Sequence, residues 1–240
     1  IFNSKFNDFD YTILFPFIGA ESIQADYSGN LTGQTILSGM SSGLKDLDGK
    51  IAIDDLKIQR GSLRLSLAEK STIDCKQGEF SISELKLVGP ENVIEMSGDN
   101  FTFDRLNIRV SAQSDLRILH FLVPFLEEIS GPFELGTRIS GSIKAPRILG
   151  QALLKDAYVK IKNFPHPFEK INTTLVFSQS KIFIQNLVSN FAGGNIKSDG
   201  QIEILGPREV PLSLNIKATH VSLNIPDKIR TVGDANLVLS

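Results

Sequence analysis

Ser41 stands at the centre of "GMSSG", residues 39–43, and matches the G-x-S-x-G pattern of a nucleophile elbow. An elbow needs a strand before the serine and a helix after it, so that the hydroxyl projects from a strained turn. Here "LKDLDGKIAIDD" follows, which reads as a turn and then a strand, and Ser41 loses its chemical support. The glycines before Lys50 have the wrong spacing for a phosphate loop, and Ile51 occupies the place where Ser or Thr binds the metal.

Other reactive groupings fail for similar reasons. Asp46, Asp48, Asp54 and Asp55 crowd one region, but Gly49 comes too early for a helix–loop–helix calcium site and no bidentate glutamate follows. His120, His166 and His220 lie far apart, with no H-x-x-x-H pair and no cysteine partner to complete a zinc set. Glu127-Glu128 reads as the polar end of a helical turn rather than an acid/base pair. Cys75 is the sole cysteine, which excludes an internal disulfide and reads as a small hydrophobe in a strand. The Asn-x-Thr sequons at Asn30, Asn100 and Asn172 fit Asn-rich turns. No enzymatic activity, metal or cofactor is expected.

The elements that would position such groups carry the stronger signal. Apolar residues alternate with polar ones at the period of a strand. Leu63, Leu65 and Leu67 share one face, as do Leu106, Ile108 and Val110. The pattern returns at Val159 and Ile161, at Ile202 and Ile204, at Leu212, Leu214 and Ile216, and at Val221 and Leu223. Phe101 and Phe103, Phe133 and Leu135, Leu175 and Phe177, and Ile182 and Ile184 extend the same set. Turn signals such as "SGMSSG", "KQGE", "SGDN", "AGGN" and "SDG" recur every ~8 to 12 residues, the spacing of an antiparallel all-β chain of about fifteen strands. A loose Gly-x-Leu/Ile repeat opens strands at Gly29, Gly49, Gly61, Gly141 and Gly200.

One segment departs from this. "SDLRILHFLVPFLEEISG" offers Ser114 or Asp115 as a cap, Leu116, Leu119, Val123 and Leu126 at helical spacing, and Gly131 as a stop. Pro124 breaks a straight helix, so the spacing predicts two short helical turns between about 115 and 129. "FPHPF", residues 164–168, reads as a rigid strand connector.

Charge is nearly balanced, 25 Lys+Arg against 27 Asp+Glu in 240 residues, and scattered, which gives no footprint for nucleic acid. The longest apolar runs, "YTILFPFIGA" and "ILHFLVPFL", fall short of the ~20 residues of a membrane span. Opening at Ile1 and closing within "ANLVLS", the chain is expected to be a segment of a longer one.

Repeated one-face-apolar strands must hide that face against a second sheet, by closure, or against an apolar ligand. Periodicity leaves the three open. The order "GLKDLDGKIAIDDLKIQRGSLRLSL", "GEFSISELKLVG", "DLRILHFLVPFLEEISGPFELGTRISGSIKAPRILGQALLKDAYVKI" and "FAGGNIKSDGQIEI" resembles the TamB branch of the AsmA-like family of bacterial envelope proteins. The nearest likeness is the Gly-x-Ile-x-x-Pro-x-(Ile/Leu)-x-Gly junction at Gly141, Ile143, Pro146, Ile148, Leu149 and Gly150. The likeness runs from about Phe9 to the end of the chain.

The resemblance implies a long, curled, mostly antiparallel sheet, a β-taco, whose concave apolar face forms a groove. It implies a periplasmic protein held in the inner membrane by an N-terminal anchor outside this sequence. The implied function is shielding of phospholipid acyl chains in transit between inner and outer membrane, with a role in outer-membrane biogenesis. An outer-membrane barrel-assembly protein is the implied partner, through other parts of the parent chain. No catalytic residues carry over. The chain is expected to form one β-taco-like segment over 1–240, with a sub-unit boundary near 130–146. The alternating strand residues named above, in the set from Leu63 to Leu223, are then the expected groove lining. The alternatives are a structural or adhesive β-sandwich and a chaperone-like scaffold for outer-membrane barrel strands.

Overall fold

A computed structural model describes residues 1–13, 27–39, 46–61, 63–102, 104–118, 126–143, 145–203, 211–225 and 229–239. Ser41, Phe103, His120, Pro124 and Ile204 lie outside them.

The chain is all-β. The first strands are β1 (Phe2–Phe9), β2 (Leu31–Ser38), β3 (Asp48–Arg60), β4 (Leu63–Leu67), β5 (Ser71–Lys76), β6 (Glu79–Gly89), β7 (Asn92–Phe101) and β8 (Leu106–Asp115). They continue with β9 (Leu126–Ser130), β10 (Pro132–Ser142), β11 (Ala145–Ile161), β12 (Phe168–Gln179), β13 (Lys181–Phe191), β14 (Gly194–Glu203), β15 (Leu212–Ile225) and β16 (Ile229–Leu239). All belong to one sheet that follows chain order, rather than to two separate sheets. β4 and β5 are two halves of one interrupted strand, the first pairing Ile58 with Leu65 and the second Ile51 with Ile73. No described helix is long and apolar enough to cross a membrane.

Helical geometry around 115–129 is confined, among described residues, to one 3-10 turn at 116–118. Asp115 does cap it, its carboxylate accepting the Arg117 amide at 2.8 Å. Leu126 to Ser130, where the spacing predicts helix, is instead strand β9, with Ile129 opposite Val159 and Glu128 opposite Lys160. A ladder of backbone bonds to β11 outweighs a one-turn helix, whose nucleation is unfavourable. Glu127 and Glu128 are therefore exposed residues of a strand. Gly131 then turns the chain into β10 at φ 117°, and a Cβ there would lie 2.7 Å from Ala157 Cα, so only glycine fits.

Two compact units divide the chain: Ile1–Gln113 with Arg138–Pro146, and Ser114–Thr137 with Arg147–Ser240. In the first, Ile53, Leu63, Leu65, Ile82 and Leu87 are buried on one face. The other face carries ion pairs between neighbouring strands, such as Lys50 with Asp74 and Lys86 with Glu95. In the second, Phe191, Ile196, Ala218 and Val221 form a buried cluster, flanked by Phe168, Leu187 and Ile216.

Strict alternation along these strands is interrupted by three-residue steps. Ile82 to Leu85, Gly98 to Phe101, Leu154 to Ala157, Phe168 to Ile171, Ile184 to Leu187 and Ala218 to Val221 each coincide with a register shift. A bulge adds one residue and so returns the strand to the same face after an odd step. The apolar face is thus continuous through breaks that, in sequence, look like strand ends.

Candidate functional site: the apolar face of the second unit

Two kinds of side-chain contact recur at the bulges, and both meet at Gln185–Asn186. Asp8, Asn100, Asp156, Asn186 and His220 adopt left-handed backbone at φ 52, 46, 45, 51 and 56°. Such geometry costs about 1–2 kcal/mol for most residues, less for Asn and Asp. Each freed amide finds an oxygen on the adjacent strand. The acceptors are Thr32 Oγ1 (3.0 Å), Ser81 Oγ (3.0 Å), Asn172 Oδ1 (3.2 Å), Asp199 Oδ1 (2.7 Å) and Asp234 Oδ1 (2.8 Å).

On the apolar face the bulge carbonyls are bonded by small buried hydroxyls. Ser71 donates to the Glu84 carbonyl (2.5 Å), Thr173 to that of Gln185 (3.0 Å) and Ser189 to that of Glu169 (3.0 Å). These hydroxyls were invisible to a search for apolar alternation. The available signal was a Ser or Thr at an inward position beside a three-residue step. Ser198, buried opposite Leu187 and Ile216, differs in that its Oγ has no hydrogen-bond partner.

With that backbone in place, register partners in the second unit line up as rows across the strands, because residues directly opposite share a face. One row runs Gly150, Phe177, Ile182, Ile202, Leu212. The next runs Ala152, Leu175, Ile184, Gly200, Leu214, Leu239. Gly200 leaves room for its opposite neighbour, since a Cβ there would sit 2.7 Å from Leu214 Cδ2. From Phe177 to Leu212 a row crosses three strand spacings, about 14 Å.

Depth differs along the strands. Phe177, Ile182, Ile202, Leu175, Ile184 and Leu214 are half-buried and Leu212 is 42% exposed. Toward the other strand ends, Ala157, Ile171, Ser189, Phe191, Ile196 and Ala218 are buried. The apolar face therefore has a closed side and a side still open to solvent.

The remaining expected lining residues divide between these depths. Leu63, Leu65, Phe133 and Val221 are buried among packed neighbours. Leu67, Leu106, Ile108, Val110, Leu135, Val159, Ile161 and Ile216 are half-buried, and Phe101 meets Phe80 with ring centroids 5.9 Å apart. Leu223 pairs with Thr231.

Among the described residues, the candidate reactive side chains take separate partners. Asp48 accepts the Gln77 amide at 2.8 Å, Asp54 meets Lys70 Nζ at 2.7 Å, and Asp55 meets Lys57 Nζ at 3.2 Å. No group of three or more potential metal ligands occurs among the described residues. His166 packs edge-on against Phe191, and His220 occupies a bulge. Comparison with protein-family models, curated proteins and solved structures gives no match.

Proposed function

We propose that this chain is a groove-forming segment of a TamB-like periplasmic bridge, which keeps phospholipid acyl chains out of water between the inner and outer membranes. The single observation that carries the reading is the pair of half-exposed rows on β12–β15. They are aliphatic and aromatic, and the open positions offer no hydrogen-bonding side chain. On the order of ten methylenes laid along such a row would be worth about 8 kcal/mol relative to water. Contacts of this kind are non-directional, so a chain held by them can slide. The ordered resemblance in sequence supports the envelope setting, the inner-membrane anchor and the outer-membrane partner.

Lipid transfer between donor and acceptor vesicles tests this. Wild-type protein should accelerate transfer of a fluorescent phospholipid, and Ile182→Asp with Ile202→Asp, which places two carboxylates opposite each other in a row, should abolish the acceleration with the sheet still folded. Equal transfer by the folded double variant would refute the reading.

A further inference from the structure

Three buried hydroxyls face the apolar side of β12–β14, and one of them lacks an acceptor. Thr173 donates to the Gln185 carbonyl and Ser189 to the Glu169 carbonyl, each at 3.0 Å. Ser198 is only 6% exposed, yet its Oγ has no hydrogen-bond partner. The bulge beside it explains why. Ile184 stands opposite Gly200 and Leu187 opposite Ser198, so the Gln185–Asn186 bulge of β13 faces the stretch between Ser198 and Gly200. Thr173 bonds the bulge carbonyl from β12, and Asp199 accepts the bulge amide, so the bulge already has its partners.

The surroundings of Ser198 are carbon. Its neighbours across the strands are Leu187 and Ile216, both half-buried. A bridging water needs several polar partners, which two aliphatic walls do not supply. Along β14 the next residue on the same face is Gly200, so no side chain rises between Ser198 and Ile202. The space above Gly200 is filled from β15, where the Leu214 Cδ2 methyl would lie 2.7 Å from a Cβ. That methyl is the far end of a half-buried side chain in the open row through Ile184, Gly200 and Leu214. Ser198 stands one row behind it, at the border with buried Ile196 and Ala218.

We infer that Ser198 is the polar contact for the occupant of this face: its hydroxyl donates to a carbonyl oxygen carried by the hydrocarbon chain, so the face takes ester-linked acyl chains in preference to ether-linked alkyl chains. The inference rests on the lipid-shielding reading and adds a substrate class to it. A chain lying on the row through Ile184 and Leu214 is about 7 Å from the row that holds Ser198. The hydroxyl and an ester carbonyl both project into that interval, and they meet at hydrogen-bond distance once the Leu214 methyl turns aside. A buried hydroxyl that is unfavourable in the empty face thereby gains its acceptor only when the chain arrives. One neutral hydrogen bond is weak enough to break as the chain moves on.

Native mass spectrometry titrations with 1-acyl lysophosphatidylglycerol and its 1-O-alkyl ether analogue of equal chain length, on wild type and Ser198→Ala, test this contact. Wild type should bind the ester about fivefold more tightly than the ether, and Ser198→Ala should bind the two alike. Because the lost hydroxyl has no partner within the protein, Ser198→Ala should melt no lower than wild type. Wild type that binds ester and ether alike overturns the inference and leaves the lipid-shielding reading standing. A Ser198→Ala variant that keeps the ester preference overturns the role given to Ser198, and one that melts lower shows that the hydroxyl serves the fold, which also overturns it. Wild type that binds neither lipid overturns the lipid-shielding reading, and this inference with it.

Discussion

The backbone amide of Asn186 donates to Asp199 Oδ1 across 2.7 Å, from a left-handed bulge in β13 to the solvent side of β14. The carbonyl of the adjacent Gln185 is bonded from the opposite side of the sheet by Thr173 of β12. One bulge is therefore held by two neighbours, one through a carboxylate in water and the other through a hydroxyl among apolar side chains. The continuity of the apolar rows depends on such clamps, since without the extra residue Leu187, Ser189 and Phe191 would turn outward.

The two halves of the clamp should differ in strength. Asp199→Ala exposes the Asn186 amide to water, which can replace the lost acceptor, and we expect a loss of about 1 kcal/mol in urea unfolding at unchanged slope. Thr173→Val leaves the Gln185 carbonyl unbonded on the buried side, and we expect the larger loss, about 2–3 kcal/mol. Equal effects from the two would mean that the inward hydroxyls are not structural.

Cys75 reports on the closed part of the first unit. Burial pushes its thiol up from the ordinary value, and its Sγ lies 3.3 Å from the Leu47 carbonyl. Only the thiolate alkylates, so iodoacetamide at neutral pH should modify Cys75 far more slowly in native protein than in urea. Rapid native labelling would mean that β5 is open to solvent.

Acid should weaken the outer face of the first unit in a defined way. The Lys86 ammonium, 2.6 Å away, holds the Glu95 carboxyl below its usual range through a hydrogen bond and then through charge, with help from Ser111. A carboxyl lowered on folding stabilises the fold above its unfolded value, near 4.3, and loses that contribution as pH falls through the folded value. Lys86, raised by the same contact, loses its share only at alkaline pH. We expect a modest fall in melting temperature below about pH 4 that Glu95→Gln reduces, because both groups lie at the surface. An unchanged acid profile in Glu95→Gln would remove the pair from the account.

The all-β class and the faces of most strands were legible because alternation encodes facing directly: Ile182, Ile184 and Ile202 share a face in sequence and in the sheet. Depth was not legible. Leu65 and Ile184 carry the same period-two signal, yet Leu65 is buried and Ile184 half-open, because burial depends on what lies opposite rather than on the strand itself. The region after Asp115 misled for a physical reason. Apolar residues at Leu116, Leu119 and Leu126 satisfy a helical period, but Leu126 takes its backbone partners from β11, thirty-five residues away at Ile161. Bulges hid as breaks in alternation, and their signature was the Ser or Thr on the inward side.

Charge on the open rows and charge on the closed side should have separable effects. Ile184→Asp puts a carboxylate where solvent reaches it, at a cost of about 1–2 kcal/mol, while Ile196→Asp buries one beside Phe191 and should unfold the second unit. Circular dichroism melts distinguish the two outcomes. Similar melts for both variants would mean that the rows do not differ in depth.

The most direct measurement of the central claim is mass spectrometry of lipid retained by the detergent-free protein after purification from a bacterium with an outer membrane, with the folded Ile184→Asp variant alongside. We expect acyl lipid in the wild-type sample and its loss from Ile184→Asp. Wild-type protein recovered free of lipid, or a variant that retains as much as wild type, would contradict the claim that the open rows of β12–β15 hold hydrocarbon chains.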